Sequence, residues 1–106
     1  MSFTGTENHE ISFAEGADQT KRYRESMSEG DIKGLFFGKD AIRKLLDQEG
    51  SVGIRAYFGI NKENKQSLVI VGVFENEDDQ IGDDYVCIDL GRPCPPDCGR
   101  DNILNS

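Results

Sequence analysis

Tryptophan is absent from this 106-residue chain, histidine occurs once, and proline and cysteine occur three times each. With His9 as the single imidazole, the commonest general base has one place to stand, in a polar stretch with no serine or cysteine nucleophile nearby in sequence. Three cysteines are an odd number, which argues against a secreted disulfide framework. No apolar run approaches the roughly 20 residues of a membrane-spanning helix. The first ten residues, Met1-Ser-Phe-Thr-Gly-Thr-Glu-Asn-His-Glu10, contain neither the basic nor the apolar stretch of a secretory signal. The expected molecule is soluble and cytoplasmic. Basic side chains are scarce too, 12 Lys and Arg against 20 Asp and Glu, for a formal net charge of -8. That excess opposes attraction to phosphate backbones and anionic bilayers, so neither nucleic acid nor membrane is an expected partner.

What is present suffices for one domain. The hydrophobic share is 36%, and counting glycine while leaving out tyrosine brings it to about 44%, near the ordinary globular value. Splitting 106 residues would leave pieces too small to bury a stable core unaided. The expected organisation is a flexible lead-in over 1–11, a single α+β domain over 12–90 and a Pro- and Cys-bearing tail over 91–106. Six of the acids crowd into Glu75-Asn-Glu-Asp-Asp-Gln-Ile-Gly-Asp-Asp84, which reads as a solvated loop. Lys21, Arg22 and Arg24, and Lys39, Arg43 and Lys44, read as solvated helix faces.

Local patterns place the elements. Ser12 followed by Glu15 has capping-box spacing and opens a helix over 13–26 with a thin apolar stripe. Ile32-Lys-Gly-Leu-Phe-Phe37 reads as extended. Gly38, Asp40, the Ile42/Leu45/Leu46 stripe and Gly50 predict a second helix over 39–48. Residues 51–60 alternate, with Val52, Ile54, Ala56, Phe58 and Ile60 on one face and Arg55 and Tyr57 on the other. Residues 67–74 are apolar on both faces, as in a central strand, and the two segments form an antiparallel hairpin. Tyr85–Asp89 is a plausible third strand. The expected fold is an antiparallel sheet of three to four strands with two helices packed on one face, burying Ile42, Leu45, Leu46, Val52, Ile54, Phe58, Leu68, Ile70, Val71 and Val73. The prolines between 93 and 96 end regular structure, leaving the tail an ordered loop or a mobile end.

The chemistry-bearing candidates are Cys94 and Cys98, with Cys87 upstream. Cys94-x-x-x-Cys98 has the spacing of half a structural zinc site, which Cys87 and His9 would have to complete. A redox pair asks for Cys-x-x-Cys at a helix start; here three residues intervene, two of them proline, although Arg92 and Arg100 could lower a thiol pKa. A Cys94–Cys98 disulfide and a rigid turn with two free thiols both remain open. Two other motifs fail. Gly34-Leu-Phe-Phe-Gly38-Lys39-Asp40 is one residue short of a phosphate-binding loop and has Asp in place of the magnesium-holding hydroxyl. A calcium loop with Gly82 at its sixth position would put Ile81 and Ile88 at ligand positions. No cofactor and no catalytic residue are expected.

Gly53-Ile-Arg-Ala-Tyr-Phe-Gly59, Leu68-Val-Ile-Val-Gly-Val73, Pro93-Cys-Pro-Pro-Asp-Cys98 and Asn102-Ile-Leu-Asn105 together resemble a group of small bacterial proteins ending in a Cys-Pro-Pro-x-Cys tail. The resemblance covers about residues 12–105, and the tail is its most specific part. It implies a compact α+β fold in the cytoplasm and carries over no activity or site residue. The expected function is a non-catalytic protein-interaction or scaffold domain whose partner is another protein or a second copy. Apolar residues at the margins, Leu35, Phe36, Phe37, Ile103 and Leu104, motivate it. The alternative is a thiol protein that uses Cys94 and Cys98 for metal binding or redox exchange.

Overall fold

A computed structural model describes residues 2–106. The fold is α+β, and the described residues form seven elements in the order α1 (Phe13–Ser26), β1 (Gly34–Phe36), α2 (Lys39–Leu46), β2 (Ser51–Ile60), β3 (Gln66–Phe74), β4 (Cys87–Ile88) and β5 (Arg92–Cys94). It divides into two compact units. One holds the residues up to Glu7 with Phe37–Gly91; the other holds Asn8–Phe36 with Arg92–Ser106.

The first unit is built on an antiparallel sheet in the order β2-β3-β4. β2 and β3 pair from Ile54↔Gly72 to Ile60↔Gln66, with a bulge near Ser51 and Gly53. Asn61 closes the hairpin loop, its side-chain oxygen accepting from the N–H groups of Glu63 and Lys65 at 2.9 and 3.0 Å. β4 adds Ile70↔Ile88 and Val71↔Cys87. α2 packs on β2 and β3, and its Leu45 is fully buried, as are Ile70, Val71 and Val73 of β3 within a few per cent. β3 is thus buried on both faces, as its continuous apolar run requires.

Of the residues expected in the core, Ile42, Val52 and Leu68 are half-buried, and three more are exposed: Leu46, Ile54 and Phe58. Lengths explain this. An eight-residue helix spans about 12 Å, whereas a ten-residue strand runs about 33 Å. α2 therefore covers one end of the hairpin and leaves the other bare. Phe58 is 94% exposed and Ile60 67%.

At the covered end, α2 runs into a turn that Ser51 N–H closes onto Gln48 O at 3.0 Å, with Gly50 at φ 83°. Two glutamines then join the layers. Gln80, only 1% exposed, accepts from Gln48 Nε2 (2.8 Å), donates to Glu49 O (2.9 Å) and sends its backbone N–H to Gly72 O (2.8 Å). Gln48 Oε1 accepts from Val86 N–H at 2.7 Å. Gly72 leaves the necessary room: a Cβ there would stand 2.2 Å from Gln80 Oε1 and 2.8 Å from Gln48 Nε2.

In the second unit, Ser12 caps α1, its hydroxyl accepting Glu15 N–H at 3.0 Å. No residue of α1 is fully buried, in keeping with its thin stripe. Tyr23 donates to Ile32 O (2.8 Å), and Arg24 donates to Leu104 O (2.5 Å). The extended segment around 32–37 supplies β1, which pairs with the tail rather than with the three-stranded sheet: Gly34↔Cys94, Leu35↔Pro93 and Phe36↔Arg92. Pro93 is tolerated there because each strand of a two-stranded ladder keeps one unpaired edge. Two expectations are adjusted accordingly. The strands form sheets of three and two, and α2 is the helix that packs on the larger sheet, since α1 belongs with the tail.

Replacing Gly72 by Ala forces two buried amides apart. The expected loss is about 1–3 kcal/mol, the usual cost of overpacking, read as a lower denaturant midpoint in circular dichroism with an unchanged native spectrum.

Candidate functional site

The structure joins two of the three thiol candidates. Cys94 and Cys98 form a disulfide with Cα atoms 4.6 Å apart. Cys94 sits at the end of β5, where Lys33 N–H donates to its carbonyl at 2.6 Å. The intervening turn is closed by Asp97 N–H to Pro93 O (2.8 Å) and Cys98 N–H to Pro96 O (3.0 Å). Both Cys94–Pro95 and Pro95–Pro96 are cis. Asn105 holds the far side by donating to Cys98 O at 3.3 Å, and Lys33 Nζ reaches Asn105 O at 2.8 Å. Bonded sulfurs offer no thiolate to a metal. Cys87 is free and exposed on β4, in the other unit, and His9 is an exposed residue of the segment before α1. Among the described residues, no three His, Cys, Asp or Glu side chains group to hold a metal ion.

A second constellation lies on one face of the β2–β3 sheet. Directly opposite residues of an antiparallel pair share a face. Arg55↔Val71, Tyr57↔Val69 and Val71↔Cys87 therefore look the same way. The acidic loop folds over this face through the Val73↔Asp79 bridge. Asp79 receives Arg55 Nη1 at 2.5 Å on one carboxylate oxygen and the Tyr57 hydroxyl on the other. Arg55 also donates to Glu77 O at 3.2 Å, and the Phe3 ring lies 5.7 Å from its guanidinium carbon. Beside this network is a groove of about 320 Å³ lined in part by Val69, Val71, Ile81, Tyr85 and Cys87. Reading Glu75–Asp84 as solvated loop missed this anchor. The available signal was Arg55, the one charge in an otherwise uncharged strand.

The electrostatics make this network a clamp. The hydrogen bond to Asp79 raises the Tyr57 phenol above its ordinary value and likewise raises the Arg55 guanidinium. Both groups keep their protons at neutral pH, so neither serves there as a base.

The opposite face carries Ile54, Ala56, Phe58 and Ile60, all exposed. β2 is also an edge strand, hydrogen-bonded to β3 alone in its sheet. Natural edges are guarded by Lys, Pro or shortness. β2 has ten residues and neither Lys nor Pro.

Two outcomes follow. Maleimide should add once to the native chain, at Cys87, and three times after reduction and unfolding, as read by intact mass. For Tyr57, the folded state holds a proton that an unfolded tyrosine releases near pH 10. Its bond to Asp79 thus contributes stability fully below that pH and loses it as pH rises through the raised folded value. The stability gap between wild type and Tyr57→Phe should close with rising pH in denaturant titrations; a gap constant above pH 10 would contradict the clamp. In comparisons with family models, with curated proteins and with solved structures, nothing matches this chain.

Proposed function

We propose that the chain is a non-catalytic protein-interaction domain that docks through the free edge and bare face of β2. The carrying observation is Phe58, 94% exposed in the stripe Ile54, Ala56, Phe58, Ile60 on a strand with one neighbour. Large aromatics dominate interface energetics because each buries about 150–250 Å². Contiguous exposed apolar surface marks interaction sites, and an open edge adds backbone hydrogen bonds to that attraction. The margins first suspected, Phe36, Ile103 and Leu104, are exposed as well, but they lack the stripe's regular alignment. Among the described residues no helix is long and apolar enough to cross a membrane; a cytoplasmic setting and kinship with the Cys-Pro-Pro-x-Cys bacterial proteins belong to this proposal.

A second reading is favoured by one observation, the Cys94–Cys98 bond. It makes the tail a dithiol–disulfide pair exchanging with a partner thiol, its redox branch supported over its metal branch. Equilibration with glutathione buffers separates the two readings: exchange requires a potential within the range of known redox proteins, whereas a purely structural bond resists the buffer.

The interaction reading is tested with a photo-crosslinking amino acid at position 58 in intact cells, and at the exposed Lys39 as control. A discrete protein adduct from position 58 and none from position 39 is expected. Equal or absent adducts would remove the reading.

A further inference from the structure

We infer that the Cys94–Cys98 bond is a redox latch on the C-terminal segment: oxidised, it holds residues 99–106 against α1, and reduced, it lets them go. This rests on the dithiol–disulfide reading above and adds what the exchange controls.

The second unit has little else to order it. Among the described residues Ile32 is its one buried side chain, and α1 contributes none. A unit this small cannot draw its order from a core and leans on covalent ties instead. The tie it has joins the ladder to the tail, since Cys94 ends β5 opposite Gly34 of β1 and Cys98 opens the tail.

Beyond Cys98 the chain closes on itself. Asn105 donates to Cys98 O (3.3 Å) and Arg100 O (3.2 Å) and accepts from Asn102 N–H (2.8 Å), while Asn102 Oδ1 accepts from Leu104 N–H (2.8 Å). The segment therefore moves as one piece. Among the described residues, two hydrogen bonds tie that piece to the elements before β5, Arg24 Nη1 to Leu104 O (2.5 Å) and Lys33 Nζ to Asn105 O (2.8 Å). An apolar contact joins them at Gly16, where a Cβ would stand 3.6 Å from Leu104 Cδ2. Both donors are long side chains in exposed bonds, which return little beyond the entropy lost in ordering them. Closure of residue 98 onto residue 94 thus decides whether the piece stays docked.

The step is a two-electron exchange with a small thiol such as glutathione. Its thiolate attacks one sulfur, the Cys94–Cys98 bond breaks and a mixed disulfide forms. A second small thiol attacks that mixed disulfide and leaves with the first as their own disulfide; their two protons end on Cys94 and Cys98. In the cytoplasmic setting proposed above, protein disulfides are mostly transient or redox-sensing.

Nuclear magnetic resonance on the full chain reads the latch directly. With the bond intact, a nuclear Overhauser contact should join the Leu104 methyls to the Gly16 α-protons. On reduction with dithiothreitol it should vanish, and backbone order parameters over 99–106 should fall from about 0.85 to below about 0.6, with β2 and β3 unchanged. The Cys94→Ser, Cys98→Ser variant should match the reduced chain without reductant. Coupling is reciprocal, so Leu104→Ser, which weakens docking, should make the bond easier to reduce in glutathione buffers. A tail that stays docked in the reduced chain and in the serine variant overturns the inference. If the bond equilibrates with glutathione while the tail stays docked, the latch falls and the exchange reading stands; a bond that resists glutathione removes both.

Discussion

The first unit depends on one buried amide. Gln80 is 1% exposed, and an unsatisfied buried polar group costs about 1–3 kcal/mol; three residues answer its groups instead. Gln48 and Glu49 at the end of α2 take its side chain, and Gly72 in the middle of β3 takes its backbone N–H. The acidic loop is thereby pinned where it leaves the sheet, and Gln48 passes the constraint on to Val86 at the entry to β4. Gly72 makes the arrangement possible by being the strand position with no side chain where two amides must fit.

Pinning the loop at Gln80 also positions Asp79. The residue before the buried amide comes to bridge Val73 and to receive Arg55 and Tyr57 from β2. Arg55 and Tyr57 of β2 are therefore engaged on the face under the loop, and the opposite face is left to Ile54, Ala56, Phe58 and Ile60. Partition of β2 into a clamped polar side and a bare apolar side is a consequence of where the loop is tied, since a free loop would leave Arg55 in water and able to guard the edge.

Elements whose signals are local were legible in the sequence. The Ser12–Glu15 spacing marks the start of α1, the Ile42/Leu45/Leu46 stripe marks α2, and the alternation of 51–60 against the run 67–74 marks the hairpin. What escaped depends on contacts between distant residues. Nothing near Gly34–Phe36 announces that its ladder partner is a proline-bearing segment some sixty residues on. Asp79 looks like its acidic neighbours until Gln80 fixes its place. Alternation correctly sorted the faces of β2, but periodicity reports which residues share a face and is silent on whether anything is long enough to cover it; α2 is not. Of the candidate thiols, spacing could allow a Cys94–Cys98 bond but could not choose between bond and free turn, because spacing does not report how closely the chain brings the two Cα atoms, which stand 4.6 Å apart.

The bare stripe gains meaning from the charge around it. An exposed phenylalanine alone is ordinary on a small domain. Here it lies on a ten-residue edge strand with no proline and no lysine, in the chain's longest acid-free stretch. β2 is thus where exposed apolar side chains and a sheet edge coincide, whereas the other edge of the sheet, β4, is two residues long.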